Sequence, residues 1–474
     1  MKGDFTRETF RAASHYSRVL YQQGRVTTDA DPNEQSAIFL HILRTMARDL
    51  IGPYAAPRDG GGFQITPSDD GGITIGKGRY YVDGILVENE DDCSYTDQPD
   101  LPVDDNDPFV RERLESAGRV LWIYLDVWER LITPIDAPLI REVALNGPDT
   151  ALRSKVVWQV RAMDTGLKLA EIEKTKQPPS CDAPLSKLMG LSKSAMAARV
   201  DPGDTGDEPC ILPPDALYRG VENQLYRVEI HDGGPAATAT FKWSRDNGSR
   251  ATAWLGSTGD VLEVGDSRGF QAGNWVELSD DTLELQGKPG VLVRIIKVGP
   301  GTLTLDPASI NDATPFTPSL VRPKVRRWDQ VQKGMTLLRH GAVPLVEGKA
   351  GEAAWMDLED GVQIAFAPGG TYRTGDYWEI PARVATGTVE WPSQPSPGGP
   401  VPAAVAPFGV EHHYAPLAYV AFKNGVLQVH SCRCDFDPAS SCFQLGSIAI
   451  GAQLLRDAPV AAAAPRNTVN AAGV

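Results

Sequence analysis

Hydrophobic positions along the chain recur with a helical period in one place and with a strand period almost everywhere else. Ile38, Phe39, Ile42, Leu43, Met46 and Leu50 stand three and four residues apart, which predicts one long amphipathic helix. Asp31 suits its cap, Pro32 the first helical position and Glu34 the third, and Gly52-Pro53 ends it. The stripe Ile38/Ile42/Met46 must then bury against β-structure or a sister subunit. Residues 1–20 show no clean period and read as an irregular arm.

Beyond the helix, short apolar runs alternate with turn residues. Phe63–Thr66, Ile73–Ile75, Arg79–Val82 and Ile85–Glu88 read as a small meander, with Asp83-Gly84 as a hairpin turn. Arg119–Glu129 is the most strand-like run, and Lys155–Ala162 is its expected partner. Val261–Val264, Trp275–Leu278, Val291–Val298 and Thr302–Leu305, separated by Gly-containing turns, predict a small barrel-like module inserted into a larger β body. Tyr414–Val429 reads as a last hairpin around Asn424-Gly425. The expected fold is mainly β and multi-domain. Its units are a helix plus meander (1–110), a β domain (111–250) with an insertion at about 166–215, the barrel module (251–320), a continuation of the β domain (321–437) and a flexible Ala-rich tail (438–474). An Ala/Leu/Met segment at 184–198 is read as one helix inside the insertion.

Composition agrees, since 46 glycines and 37 prolines in 474 residues suit strands joined by turns. The net charge is −15 and no basic run is interleaved with aromatics, which argues against nucleic acid as a partner. No run approaches the roughly 18 apolar residues of a membrane span, and the start Met1-Lys-Gly-Asp-Phe-Thr-Arg lacks the apolar core of a signal peptide. Synthesis in the cytoplasm is expected, with any appearance outside the cell by lysis or within a particle. Six scattered cysteines do not look like a disulfide framework, so reduced thiols are the expectation.

Several constellations invite chemistry. Asp29-Ala-Asp-Pro-Asn-Glu34 fails as a calcium loop, because Glu34 stands where glycine is required and Leu40 where a bidentate glutamate is required. Gly71–Gly78 nearly spells a phosphate loop, but no helix follows to aim its amides. His430, Cys432 and Cys434 would share one strand face, and Cys442 could return as a fourth ligand. A structural zinc there is the candidate cofactor, and a disulfide among the three cysteines is the alternative. In Glu411-His-His-Tyr414 the adjacent histidines must point to opposite faces, so at most one serves a given site. Trp243 and Trp378, beside Arg and Asp at turns, are candidates for glycan binding, weighed against pinned strand ends. No Gly-x-Ser-x-Gly, His-Glu-x-x-His or dinucleotide fingerprint is present, and no catalytic residue is selected.

Taken together, Tyr21-Gln-Gln-Gly-Arg-Val-Thr-Thr-Asp-Ala-Asp-Pro-Asn-Glu-Gln35, Gly78-Arg-Tyr-Tyr-Val-Asp-Gly84, Glu142-Val-Ala-Leu-Asn-Gly-Pro-Asp-Thr150, Phe241-Lys-Trp-Ser-Arg-Asp-Asn-Gly248 and Thr374-Gly-Asp-Tyr-Trp378 resemble an uncharacterised bacterial family associated with phage-tail-like extracellular contractile injection systems. The resemblance spans roughly residues 1–435. It implies a structural component at the baseplate periphery, or a tail fibre or spike attachment, partnered by other particle proteins and forming a homo-oligomer, with a trimer as the expected state. The alternatives are a surface glycan-binding adhesin and an enzyme acting on cell-wall polysaccharide. The C-terminal cysteines and the Ala-rich tail fall outside the pattern.

Overall fold

The computed structural model describes residues 1–104, 106–115, 117–175, 179–189, 193–203, 217–310, 321–331, 338–349, 351–397 and 399–437. It is mainly β. One long helix, α1 (Ala30–Ile51), precedes the strands. Strands of four or more residues are, in chain order, β1 (Tyr54–Pro57), β2 (Gly78–Val82), β3 (Ile85–Asn89), β4 (Arg119–Ile132), β5 (Arg153–Lys168), β6 (Met196–Val200), β7 (Gln224–Ile230) and β8 (Thr240–Ser244). They continue with β9 (Ala251–Thr258), β10 (Val261–Val264), β11 (Trp275–Ser279), β12 (Val291–Gly299), β13 (Thr302–Leu305), β14 (Lys324–Trp328), β15 (Val362–Phe366), β16 (Tyr377–Arg383), β17 (His412–Lys423) and β18 (Val426–Ser431).

Three apolar cores organise these strands. The first lies under the sheet β18-β17-β4-β5 and joins it to the N-terminal meander. Alternation along β4 sends Leu121, Ile123, Leu125 and Val127 into this core, where Phe63, Tyr80 and Trp158 meet them. Asp83 and Gly84 turn β2 into β3 with φ of 48° and 80°, and Asn424 and Gly425 turn β17 into β18 with φ of 52° and 77°, as two-residue hairpins between right-twisted strands require. The second core sits beneath β7, β8 and β16, with β6 and β15 closing over it. The third fills a closed barrel in the order β9-β10-β13-β12-β11-β14. The barrel thus needs Lys324–Trp328 to close. Within the insertion, the predicted helix at 184–198 resolves into a short helix, Leu185–Met189, and the strand β6, whose Met196 and Ala198 are buried beside Ile364 and Phe366.

The start of α1 differs from its predicted form. Ala30 is the first helical residue and Asp29 makes no capping bond; its carboxylate instead accepts from Thr6 N and Oγ1 at 2.9 and 2.6 Å. Asp31 accepts from Thr28 N at 3.0 Å, and Glu34 and Gln35 accept from Thr9 Oγ1 and Val19 N. The polar residues thus fasten the N-terminal arm to the helix. At its other end Gly52, at φ 97°, closes α1 as expected. The inner side of the helix is held by polar contacts: Arg44 Nη1 to Glu129 Oε2 at 3.0 Å, Arg48 Nε to Asp83 Oδ1 at 3.5 Å, and a backbone approach at Gly84 too close to admit a Cβ beside the Arg44 carbonyl.

Candidate functional site

While the odd residues of β4 enter the first core, the even residues form a second face. Tyr124, Asp126 and Trp128 stand on it, opposite Arg161 of β5 in one row and Tyr414 and His412 of β17 in the next two. Asp126 is 2% exposed. Its Oδ1 lies 2.7 Å from His412 Nδ1 and its Oδ2 lies 3.7 Å from Arg161 Nη1. The Asp126 carboxylate engages Nδ1, so Nε2 is the ring nitrogen of His412 left for another partner. The His412 ring stacks on Trp128 at 4.9 Å, and Tyr124 meets Tyr414 edge to face at 6.0 Å. Burial and the Asp126 charge raise Tyr124 to about 12 against the pull of Arg161, and they raise Tyr414 too, so both stay hydroxyl donors near neutrality.

This patch forms one wall of a cavity of about 630 Å³ where the three bodies meet. The opposite wall is charged. The odd residues of β7 and the even residues of β8 turn away from the second core, so Arg227, Glu229 and Lys242 face the outer surface of the barrel, which presents Glu277, Lys324 and Arg326. Lys242 Nζ lies 2.5 Å from Glu277 Oε1 and 3.3 Å from Glu229 Oε1; Arg227 Nε lies 2.7 Å from Glu229 Oε2 and Lys2 Nζ 2.9 Å from Glu229 Oε1. Trp328 donates its indole N–H to Glu277 Oε2 at 2.9 Å, beneath both lysines. Burial alone would raise Glu229 and Glu277, yet the surrounding cations hold Glu229 well below the usual carboxylate range and Glu277 at about 2. A second knot joins Arg130 of β4 and Lys324 of β14 to Asp136, Asp281 and Glu284. His231, at the end of β7, is pushed down to about 4, mainly by burial and then by Lys242.

The sequence profile of a family of unknown function, DUF6519, matches residues 1–178 and 185–473. The chain belongs to this family. No curated protein and no solved structure matches it. The DUF6519 match takes in β4 and β5 in its first segment and β17 in its second, so the whole aromatic wall lies within it. Cys181 falls in the gap between the two segments.

The structure redistributes the residues that the sequence singled out in this DUF6519 chain. Trp243 and Trp378 are 4% and 0% exposed and belong to the second core, so neither offers a ring to a glycan. The strand period explains it: in β8 and β16 the charged Lys242 and Glu379 turn away from the second core toward Glu277 and Arg227, and the tryptophans beside them take the apolar side. Among the described residues the zinc set is not brought together. Cys432 is buried in a disulfide with Cys181, whereas His430 and Cys434 are exposed; Cys442 lies outside the described residues. Among the described residues no group of three His, Cys, Asp or Glu side chains is placed to hold a metal. The disulfide pins the segment around Cys181 over the far end of the aromatic face, where Trp122 Nε1 donates to Cys181 O at 3.1 Å and Tyr419 Oη to Ser180 O at 2.9 Å. Of the α1 stripe, Ile38 is buried at 1% exposure while Ile42 and Met46 are 46% and 51% exposed. The two adjacent histidines do face opposite ways, His412 toward Asp126 and His413 toward Asp83. Sequence reasoning missed Tyr124, Asp126, Trp128 and Arg161 as a site. The available signal was an aspartate alternating with aromatics inside the most apolar strand of the chain.

Proposed function

We propose that this chain is a structural subunit of a phage-tail-like contractile injection particle, placed at the baseplate periphery or in an attached fibre or spike, and that it homo-oligomerises through α1. The observation that carries the reading is the orientation of that helix. Only Ala30 and Ile38 of its 22 residues are buried, whereas Phe39, Ile42, Leu43, Met46 and Leu50 stay 46–79% exposed. The side turned to the body is held by Arg44 and Arg48, so polar contacts anchor the helix and its apolar side is left outward. That is the reverse of a surface helix in a monomer. Covering five such side chains is worth on the order of 5 kcal/mol per subunit.

A second copy of this chain supplies the matching cover. Phe39, Leu43, Met46 and Leu50 follow a 4-3-4 spacing, a seam that meets its own kind around a rotation axis. Leu40 and Ile42 widen the stripe beyond a two-stranded seam, which favours the trimer. The likeness of the 21–35, 241–248 and 374–378 motifs to the particle-associated family supports the wider assignment, with other particle proteins as partners. Synthesis in the cytoplasm and export within the particle follow from it.

Light scattering after size exclusion tests the assembly: the wild type runs as a trimer and Leu43→Asp as a monomer with an unchanged melting temperature. Co-sedimentation with sheathed particles, and electron microscopy of particles from a deletion strain, test the placement. A monomeric wild type that stays out of the particle pellet overturns the reading.

A further inference from the structure

We propose that the cavity wall formed by Tyr124, Trp128, Arg161, His412 and Tyr414 binds a hydroxylated carboxylate of the sugar-acid type, such as a hexuronate residue of an acidic saccharide. This site is independent of the assembly reading.

The protein leaves the polar ends of this wall unused. Among the described residues Arg161 makes no hydrogen bond to a carboxylate: Asp126 lies 3.7 Å away, beyond hydrogen-bond range, Asp107 acts on it only through its charge, and the Arg161 side chain is 42% exposed. Asp126 already holds His412 Nδ1, so its attraction is shared. The Tyr124 and Tyr414 hydroxyls have no hydrogen-bond partner among the described residues, and Nε2 of His412 has none either. All five side chains line the same cavity. Its volume of about 630 Å³ is in the range of small-molecule sites.

The arrangement selects the ligand class. A free guanidinium fork matches a carboxylate in two parallel hydrogen bonds. Two tyrosine hydroxyls donate to hydroxyl or ring oxygens, and Nε2 of His412, whose other ring nitrogen is taken by Asp126, offers a further hydrogen bond to a ligand hydroxyl. The rings of Tyr414 and His412, which are partly exposed, offer flat apolar area for a sugar face. A purely apolar or cationic ligand leaves Arg161 unpaired. The wider field agrees: ten lysines and arginines against seven aspartates and glutamates line the cavity, in a chain whose net charge is −15.

Isothermal titration of the full chain with glucuronate, with oligohexuronates and with their neutral counterparts tests the proposal. Sugar acids are expected to bind, and the neutral counterparts to bind at least tenfold more weakly or not at all. Tighter binding of the oligomers than of free glucuronate assigns the source to a polymer, and equal binding assigns it to the free acid. Arg161→Gln abolishes the preference for the acid, and Tyr414→Phe weakens binding severalfold while keeping the preference. Arg161→Lys, which retains charge without the fork, gives an intermediate loss and covers the case in which Arg161→Gln does not fold. Equal binding of acid and neutral sugars overturns the proposal, as does no binding at millimolar concentration or undiminished binding by a folded Arg161→Gln. Leu43→Asp, the assembly variant, leaves this binding intact because every contact lies within one chain.

Discussion

Lys242 Nζ on β8 lies 2.5 Å from Glu277 Oε1 on β11, which joins the second body to the barrel wall through a pair whose side chains are 3% and 6% exposed. The contact replaces an apolar seam by a charged one. Such a pair is a weak source of stability when whole and a large liability when halved, because the remaining ion stays buried.

Lys242→Met therefore costs about 3 kcal/mol and lowers the urea midpoint. Glu277 would keep only the indole N–H of Trp328 and the Gly290 amide as donors. Adding Glu277→Gln removes the stranded charge while its amide oxygen still accepts from one of these donors. The double variant should recover at least about 1 kcal/mol of the loss. A double variant no more stable than Lys242→Met would show that the stranded charge is not the cause.

The same network sets the pH dependence. Burial, and then Lys242, hold His231 at about 4, against an unfolded value near 6.5. The unfolded chain then takes up this proton first. Stability present above about pH 6.5 is lost as pH falls toward 4, at up to about 1.4 kcal/mol per pH unit. Glu277 and Asp136, both held at about 2 by buried cations despite their own burial, add a second loss between the ordinary carboxylate range and pH 2. The melting temperature should fall in two steps on acidification. His231→Gln should remove the first step alone; if its profile between pH 6.5 and 4 parallels the wild type, His231 is not the group responsible.

The elements were legible wherever local chemistry specifies them. Asp83-Gly84 and Asn424-Gly425 need positive φ, and both are hairpin turns; the barrel strands at 261–264, 275–278, 291–298 and 302–305 fall close to where the alternation puts them. Pairings across long separations were not legible in the same way. Strand alternation assigns Trp243 and Trp378 to one face or the other, but only the tertiary arrangement decides which face meets solvent. The aromatic wall takes Asp126 and Arg161 from one hairpin and His412 and Tyr414 from a strand some 250 residues later, so its geometry exists only in the sheet register. The helix cap failed for a related reason: the spacing puts Asp31 at the cap and Glu34 in its box, whereas the helix begins one residue earlier, Asp31 turns back to Thr28 N and Glu34 serves Thr9 of the arm.

The disulfide is the sharpest departure from expectation, since the six cysteines predicted reduced thiols. Cys181 and Cys432 are separated by 251 residues and are joined with Cα atoms 5.6 Å apart. The segment around Cys181 rests on the aromatic face through Trp122 and Tyr419, accepts from the Tyr54 hydroxyl at Asp182, and packs Leu185 and Leu188 partly buried beside them, although the short helix Leu185–Met189 has no fully buried residue. Reduction should therefore loosen this segment over Trp122 and Tyr124 while leaving the three cores closed. A bond closing so long a loop is worth about 2–5 kcal/mol. Thiol titration of the denatured chain should release two more thiols after reduction than before it. Cys181→Ser should lower the melting temperature as much as reduction does and make the protein insensitive to reductant. The segment around residues 179–189 should then become open to protease, with sheet β18-β17-β4-β5 still protected in hydrogen exchange. A melting temperature that reductant does not move would mean that the hydrogen bonds of Trp122, Tyr419 and Tyr54 and the packing of Leu185 and Leu188, rather than the disulfide, hold the segment in place.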